Sequence, residues 1–248
     1  MRTELSVNVN AIAFLRNRRD LPWPSLVDLS RIALQAGACG ITVHPRPDER
    51  HIRRTDVDDL AALLSEPEFA DKEYNIEGYP DERFLALCDL IKPEQVTFVP
   101  DDPAQATSDH GWDIAANQSL LKESVARMKA HGLRVALFVN PDESAPDQAK
   151  EVGADRVELF TGAYGKQCVG SDGAKESLSV LVKTAQNAHA LGLGVNAGHD
   201  LTVANVPLLV ETAGVISELS IGHGVAADAL IYGMETSVKR FLKSCGSK

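Results

Sequence analysis

SLVDLSRIALQAGACGITVHP (25–45) carries the pattern that decides the fold. Its first part is amphipathic and has a glycine near its end, as a helix C-terminus prefers. Its second part, GITVHP (40–45), is a short β-branched run that closes on His44. The same alternation extends in both directions along the chain. Strand-like runs recur as LSVNVN (5–10), EYNIEG (73–78), QVTFVP (95–100), RVALFVN (134–140), RVELFT (156–161), LGVNAG (193–198) and ELSIGHG (218–224). Amphipathic stretches such as DERFLALCDLI (81–91), SLLKESVARMKAHG (119–132) and LSVLVKTAQNAHALG (178–192) lie between them. No low-complexity linker or shift in composition marks a boundary, so 1–248 reads as a single domain.

Eight such units in 248 residues give about 31 residues each, close to the ~30 that a βαβ unit needs. Count, order and length predict a (β/α)₈ TIM barrel, typically ~250 residues. An open doubly wound sheet is the alternative. That fold usually carries a Gly-rich first turn, and VNVNAIAFLRN (7–17) has no glycine.

Composition narrows the class of function. The formal net charge of -10 argues against nucleic acid or an anionic membrane surface as the main partner. Small anionic substrates stay open, because a pocket can oppose the net charge. Hydrophobic residues at 44% and charged residues at 24% are the ordinary globular mix and exclude disorder. Cys39, Cys88, Cys168 and Cys245 are far apart and form no C-x-x-C pair, so they read as reduced thiols. No apolar run approaches the ~20 residues of a membrane span, and no signal peptide is evident. A cytoplasmic location is expected.

The strand interiors are Val, Ile, Leu and Phe, while the C-terminal ends carry Asn8, Asn10, His44, Glu77, Asn140, Glu158, Asn196, His199 and His223. In a barrel these ends converge on one mouth, where the active site lies. Burying so many polar groups costs several kcal/mol each unless they are paired, so a purely structural explanation is strained. Glu77, between apolar neighbours, suits a general base, since burial raises a carboxylate pKa. The alternative is a carboxylate paired with an arginine or lysine. His44 and His199 suit proton transfer. His223 lies between glycines, where backbone can approach a ligand. His131 and His189 fall in the last turns of helices and read as structural. A metal centre is the main rival for this cluster, but the first strand has Asn8 and Asn10 where metal-dependent barrel hydrolases often carry an H-x-H pair.

Phosphate recognition has support of its own. The loops after strands seven and eight, NAGHDLT (196–202) and IGHGVAAD (221–228), contain glycine and lead into helices, as barrel phosphate sites do. Arg16, Arg18 and Arg19 follow strand one, and Arg46, Arg50 and His51 follow strand two. Two basic clusters suggest two anionic groups. Residues 101–118 and 161–173 are too long for simple connections and read as rim lids.

Taken together, VNxNxIAxLRNxR (7–19), GITVHPRPDERHI (40–52), NIEG (75–78), the Thr-Ser pair before GWD (111–113), VELFTG (157–162), VNAGHDLT (195–202) and SIGHG (220–224) resemble the pyridoxine 5'-phosphate synthase family. The resemblance runs from Leu5 to about Lys243. It implies a barrel with additional helices, assembled as a homo-octamer and using no cofactor or metal. It implies condensation of 3-amino-2-oxopropyl phosphate with 1-deoxy-D-xylulose 5-phosphate to give pyridoxine 5'-phosphate, phosphate and water. By resemblance, His44 and Glu77 are proton acceptors, His199 is the proton donor, and Glu158 stabilises the transition state. Asn8, Arg19, Gly222 and His223 match the aminoketone phosphate site. Arg46, His51 and Thr107 match the deoxyxylulose phosphate site.

Two positions depart from the family pattern. Asn10-Ala11 stands where an Asp-His pair is common, so an imidazole is lost while Asn10 keeps hydrogen-bonding capacity for the deoxyxylulose substrate. Asp200 stands where Gly is common, and its contact with phosphate is expected from the backbone N–H, with the carboxylate turned away. Two other readings are weaker. A Schiff-base aldolase would need a lysine at a strand end, and none is there. A catalytically dead barrel that senses the product would have no need of His44, Glu77 and His199 together.

Overall fold

The computed structural model describes residues 2–19, 21–101, 105 and 108–246. Its strands are β1 (Glu4–Asn8), β2 (Gly40–Val43), β3 (Glu73–Gly78), β4 (Gln95–Phe98), β5 (Arg134–Val139), β6 (Arg156–Phe160), β7 (Gly194–Gly198) and β8 (Glu218–Ile221). They pair in sequence order as a closed parallel barrel. Closure comes from β1 against β8, with Leu5 opposite Leu219 and Val7 opposite Ile221. The TIM barrel expected from the sequence is the observed fold.

Helices α2 (Leu26–Gln35), α3 (Arg54–Leu64), α4 (Glu82–Ile91), α5 (Gln118–Ala130), α6 (Ala145–Glu151), α8 (Asp172–Ala190), α9 (Val206–Ala213) and α11 (Met234–Ser244) follow the strands in turn. Three additional short helices, α1 (Asn10–Arg16), α7 (Gly162–Gly165) and α10 (His223–Tyr232), sit directly after β1, β6 and β8. Side-chain caps start several of the longer ones. Ser25 accepts from the Asp28 N–H, Asp81 from Phe84 and Ser171 from Ala174. Each such cap is worth about 1 kcal/mol. Gly37 and Gly192, just past α2 and α8, have φ of 112° and 79°, which explains the glycines that close those stretches.

Strand alternation sorts the side chains differently from the simple expectation of apolar strands with polar tips. Apolar residues such as Leu5, Val7, Ile41, Val43, Ile76, Val96, Val157 and Leu219 are buried in the core cluster that joins the barrel to its helices. On most strands the alternate positions are polar along the whole length, not only at the end; β5, with Ala136 and Phe138, is the exception. Ser6 and Thr42 share a hydrogen bond, Asn75 donates to Thr42, and Thr97 donates to Asn75. Arg156 donates to both Asn196 and Glu218, and Asn196 also reaches Gln95. All of these groups except Arg156, which is half-buried, are fully buried. The barrel interior is therefore a hydrogen-bonded polar layer.

The strands also stop earlier than the sequence suggests. Asn10 opens α1 rather than ending β1, and its backbone N–H is accepted by the Asn8 side chain at 3.0 Å. His44, Asn140, Thr161 and Gly222 likewise fall just beyond their strands. Residues past the ladder are free to aim polar groups across the mouth.

Candidate active site at the barrel mouth

A cavity of about 1060 Å³ opens at the C-terminal ends of the strands. Asn8, Asn10, His44, Arg46, His51, Glu77, His199, Asp200, Gly222 and His223 all line it. Barrel closure thus brings the ends of five strands, β1, β2, β3, β7 and β8, to one place. Arg19 is exposed and absent from the lining, whereas Arg18 belongs to it. Glu158 lies deeper, buried beneath the mouth. Thr107 lies outside the described residues.

Hydrogen bonds tie the ends of the first three strands together. Asn8 donates to Glu77 Oε2 at 3.4 Å, while its own oxygen holds the start of α1. Asn10 accepts from the His44 backbone N–H at 2.9 Å. Asn10 therefore shapes the turn that presents His44, and its amide nitrogen remains the group with donor capacity toward a ligand. Gly222 is needed here for packing: a Cβ would lie 3.0 Å from Asn8 Oδ1.

Burial sets the proton affinities. Glu77 is pushed well above the ordinary carboxylate range, first by loss of water and then by the neighbouring charges of Glu158, Asp101 and Glu218. Glu158 rises to about 7 through burial alone. Its Oε2 has no hydrogen-bond partner, and it packs so close to Gly198 that a Cβ there would meet Oε1 at 2.8 Å. His44 is held well below the ordinary imidazole range by burial, with His51 and Arg46 adding repulsion. A neutral imidazole beside a carboxyl of raised pKa gives the mouth both acceptors and a donor near neutral pH.

His51 drops to about 4, by burial first and then by Arg46 and Arg50. Its Nδ1 accepts the Ile52 N–H at 2.9 Å, which leaves Nε2 as the N–H that faces outward in the neutral ring. Arg46 is buried and donates to Asp101 at 2.7 Å and to the Gln105 carbonyl at 3.0 Å. Arg50 is held by Asp48 and by the same carbonyl. His199 is lowered by burial, partly offset by the Asp200 charge and a hydrogen bond to the Gly198 backbone. The Phe138 and Phe160 rings stand 4.9 Å and 5.5 Å from its imidazole. His223 is the first residue of α10, so the N-terminus of a ten-residue helix opens at the cavity.

Several residues near these sites have structural work, Arg16 of the first basic cluster among them. Arg16 makes a buried two-pronged contact with Asp56 at 2.6 Å and 2.8 Å. Asn17 donates to the carbonyls of Glu49, Arg50 and His51 and so fastens the loop after β2 to α1. His131 pairs with Asp89 at 3.2 Å, as a helix-end histidine should. Asp101, which the sequence did not single out, accepts from both Arg46 and Ser108 beside the cavity. Asp101 lies three residues past the end of β4, beyond the strand tip where polar residues stand out in the sequence. Among the described residues, no group of three or more His, Cys, Asp or Glu is placed to hold a metal ion.

Fold and cavity define the class: a (β/α)₈ barrel with titratable side chains from many strands gathered at its C-terminal mouth. Within that class, the chain matches the family model of the pyridoxal phosphate biosynthesis protein PdxJ over residues 5–247, and it belongs to that family. Relatives named pyridoxine 5'-phosphate synthase include one from Allorhizobium ampelinum, 57% identical over 99% of both chains. Another, from Chelativorans sp., is 58% identical over 99% of both. A third, from Mesorhizobium japonicum, is 56% identical over 99% of this chain and all of its own. Solved barrels share the fold at low identity. The phosphoribosylanthranilate isomerase of Thermotoga maritima is 13% identical, with TM-score 0.61 over 98% of each chain. The Amycolatopsis orientalis BexX/CysO complex is 16% identical, with TM-score 0.61 over 98% of this chain and 88% of its own.

Proposed function

We propose that this chain is a pyridoxine 5'-phosphate synthase, condensing 3-amino-2-oxopropyl phosphate with 1-deoxy-D-xylulose 5-phosphate into pyridoxine 5'-phosphate, phosphate and water. The observation that carries the mechanism is the grouping of Glu77, His44 and His199 in one cavity, with the Glu77 carboxyl raised and both imidazoles lowered toward their neutral forms.

The chemistry needs protons moved at each stage. The amine of one substrate attacks the ketone of the other, water leaves to give an imine, phosphate is eliminated, and an aldol-type closure with loss of a second water makes the aromatic ring. Glu77 and His44 take protons from carbon and nitrogen, and His199 returns one to a departing oxygen. Glu158, its carboxyl raised to about 7 by burial, keeps a proton available near neutral pH to donate to charge that develops above it. A general acid or base contributes ~10²–10⁴ in rate. Asn8, Arg19, Gly222 and His223 bind the aminoketone phosphate at the α10 N-terminus, with the Asp200 backbone alongside. Arg46, His51 and Thr107, with Asn10, bind deoxyxylulose phosphate.

Among the described residues, no helix is long and apolar enough to cross a membrane. A cytoplasmic location fits the unpaired cysteines. Self-association to the family's octamer is supported by Leu230, Ile231 and Tyr232 at the end of α10, which stand exposed with Trp23. Mixing the protein with both substrates tests the activity: a pyridine chromophore and equimolar phosphate are expected. Phosphate without the chromophore would overturn the assignment.

A further inference from the structure

We propose that Thr161 is a positioning residue for His199, its hydroxyl fixing the backbone turn that presents the imidazole to the cavity. The proposal rests on the reading of His199 as the proton donor.

His199 and Asp200 have φ of 82° and 55°, so two consecutive non-glycine residues occupy the left-handed region. Side chains are rarely held there, and only when the surroundings over-determine the conformation. The constraint comes from the neighbouring strand. β6 and β7 end in register, Phe160 opposite Gly198. One residue on, the Thr161 N–H donates to the Gly198 carbonyl at 2.9 Å. The Thr161 hydroxyl lies 2.5 Å from the Gly198 carbonyl and 2.5 Å from the His199 carbonyl. One fully buried hydroxyl therefore draws together both carbonyls that flank the turn. Thr161 thus sets the path of the main chain from which the ring projects, while Phe138 and Phe160 pack against that ring. Thr161 itself does not line the cavity. Its action on the reaction runs through His199.

Without the hydroxyl, the turn relaxes toward ordinary φ values and the imidazole shifts relative to Glu77 and His44. A displacement of about 1 Å costs on the order of 10²-fold in rate. The experiment compares T161A, T161V, T161S, H199Q and the double variant T161A/H199Q, with folding checked by circular dichroism. Whichever of T161A and T161V folds carries the comparison. We expect kcat to fall roughly 10- to 100-fold in T161A and T161V with KM for both substrates within about threefold. T161S should restore the rate, and T161A should add nothing in the H199Q background. By NMR, the His199 imidazole of T161A should titrate at higher pH than in the wild type, because the ring leaves its buried seat.

A fast T161A beside a slow H199Q would overturn the positioning role. So would a T161S as slow as T161A, or an unchanged His199 titration. A fully active H199Q would instead defeat the proton-donor reading, and the titration alone would then decide whether Thr161 seats the ring.

Discussion

Arg46 donates to Asp101 Oδ2 across 2.7 Å, with both side chains buried. The same oxygen accepts from Ser108 at 2.7 Å and lies 3.9 Å from His44 Nδ1. The arginine assigned to deoxyxylulose phosphate is thus already neutralised by a carboxylate, next to one of the proposed proton acceptors. Arriving phosphate must share Arg46 with Asp101.

Removing Arg46 should therefore destabilise the fold in a pH-dependent way. Breaking a buried pair typically costs about 3–5 kcal/mol because the remaining charge is stranded. Asp101 has its pKa raised, chiefly by burial, so in acid it sheds the stranded charge by taking up a proton. Its folded pKa exceeds the unfolded one, and its contribution to stability is lost as pH rises through the folded value. Urea unfolding of R46A should show the larger loss at pH 8 and a smaller one at pH 5. Equal losses would mean that Asp101 finds another cation.

The two phosphate sites should separate by titration calorimetry. Hydrogen bonds to a charged group are worth ~1.5–3 kcal/mol, so losing one weakens binding roughly 10- to 100-fold. R46A should lose deoxyxylulose phosphate and keep the aminoketone phosphate, and R19A should do the reverse. Arg18 lines the cavity where Arg19 does not, so R18A is the informative companion. Loss of the aminoketone in R18A alone would move the assignment by one residue.

Buried carboxyls also predict how the whole fold responds to pH. Glu158 is raised from 4.5 to about 7 and Glu218 from 4.5 to about 8, each chiefly by burial, and Glu77 is raised as well. Between the unfolded and folded values, the folded state binds more protons, so stability falls as pH rises from about 5 through 8. Melting temperature followed from pH 5 to 9 should decline in the wild type. E158Q, which removes a charge without a cation partner, should decline less. A flat wild-type profile would contradict the picture of protonated barrel carboxyls.

Much of this was legible in the chain. The eight β-branched runs specify the barrel because each strand needs a helix to cover its apolar face, and that periodicity is local. Polar residues at strand ends were visible for the same reason, and ten of the thirteen site candidates line one cavity. What was hidden depends on partners far apart in sequence. Arg16 and Arg46 look alike in a string of letters, yet one is locked to Asp56 and the other faces the cavity beside Asp101. The polar barrel interior was missed because Ser6, Thr42, Asn75 and Thr97 are single letters within apolar runs, and their hydrogen bonds form only on closure. Left-handed backbone at His199 and Asp200 is not written in the residues themselves, since neither is glycine, although the family pattern's glycine at position 200 pointed to it. Its contact with the Thr161 hydroxyl, just past β6, forms only when β6 and β7 pair.

The central claim is that Glu77 moves protons in the ring-forming condensation. Steady-state turnover of E77Q with both substrates, followed by the pyridine chromophore and released phosphate, tests it most directly. The amide keeps the shape and the contact with Asn8 while removing basicity. Turnover should fall ~10²–10⁴-fold with the fold intact. Turnover within a few-fold of the wild type would show that the base lies elsewhere.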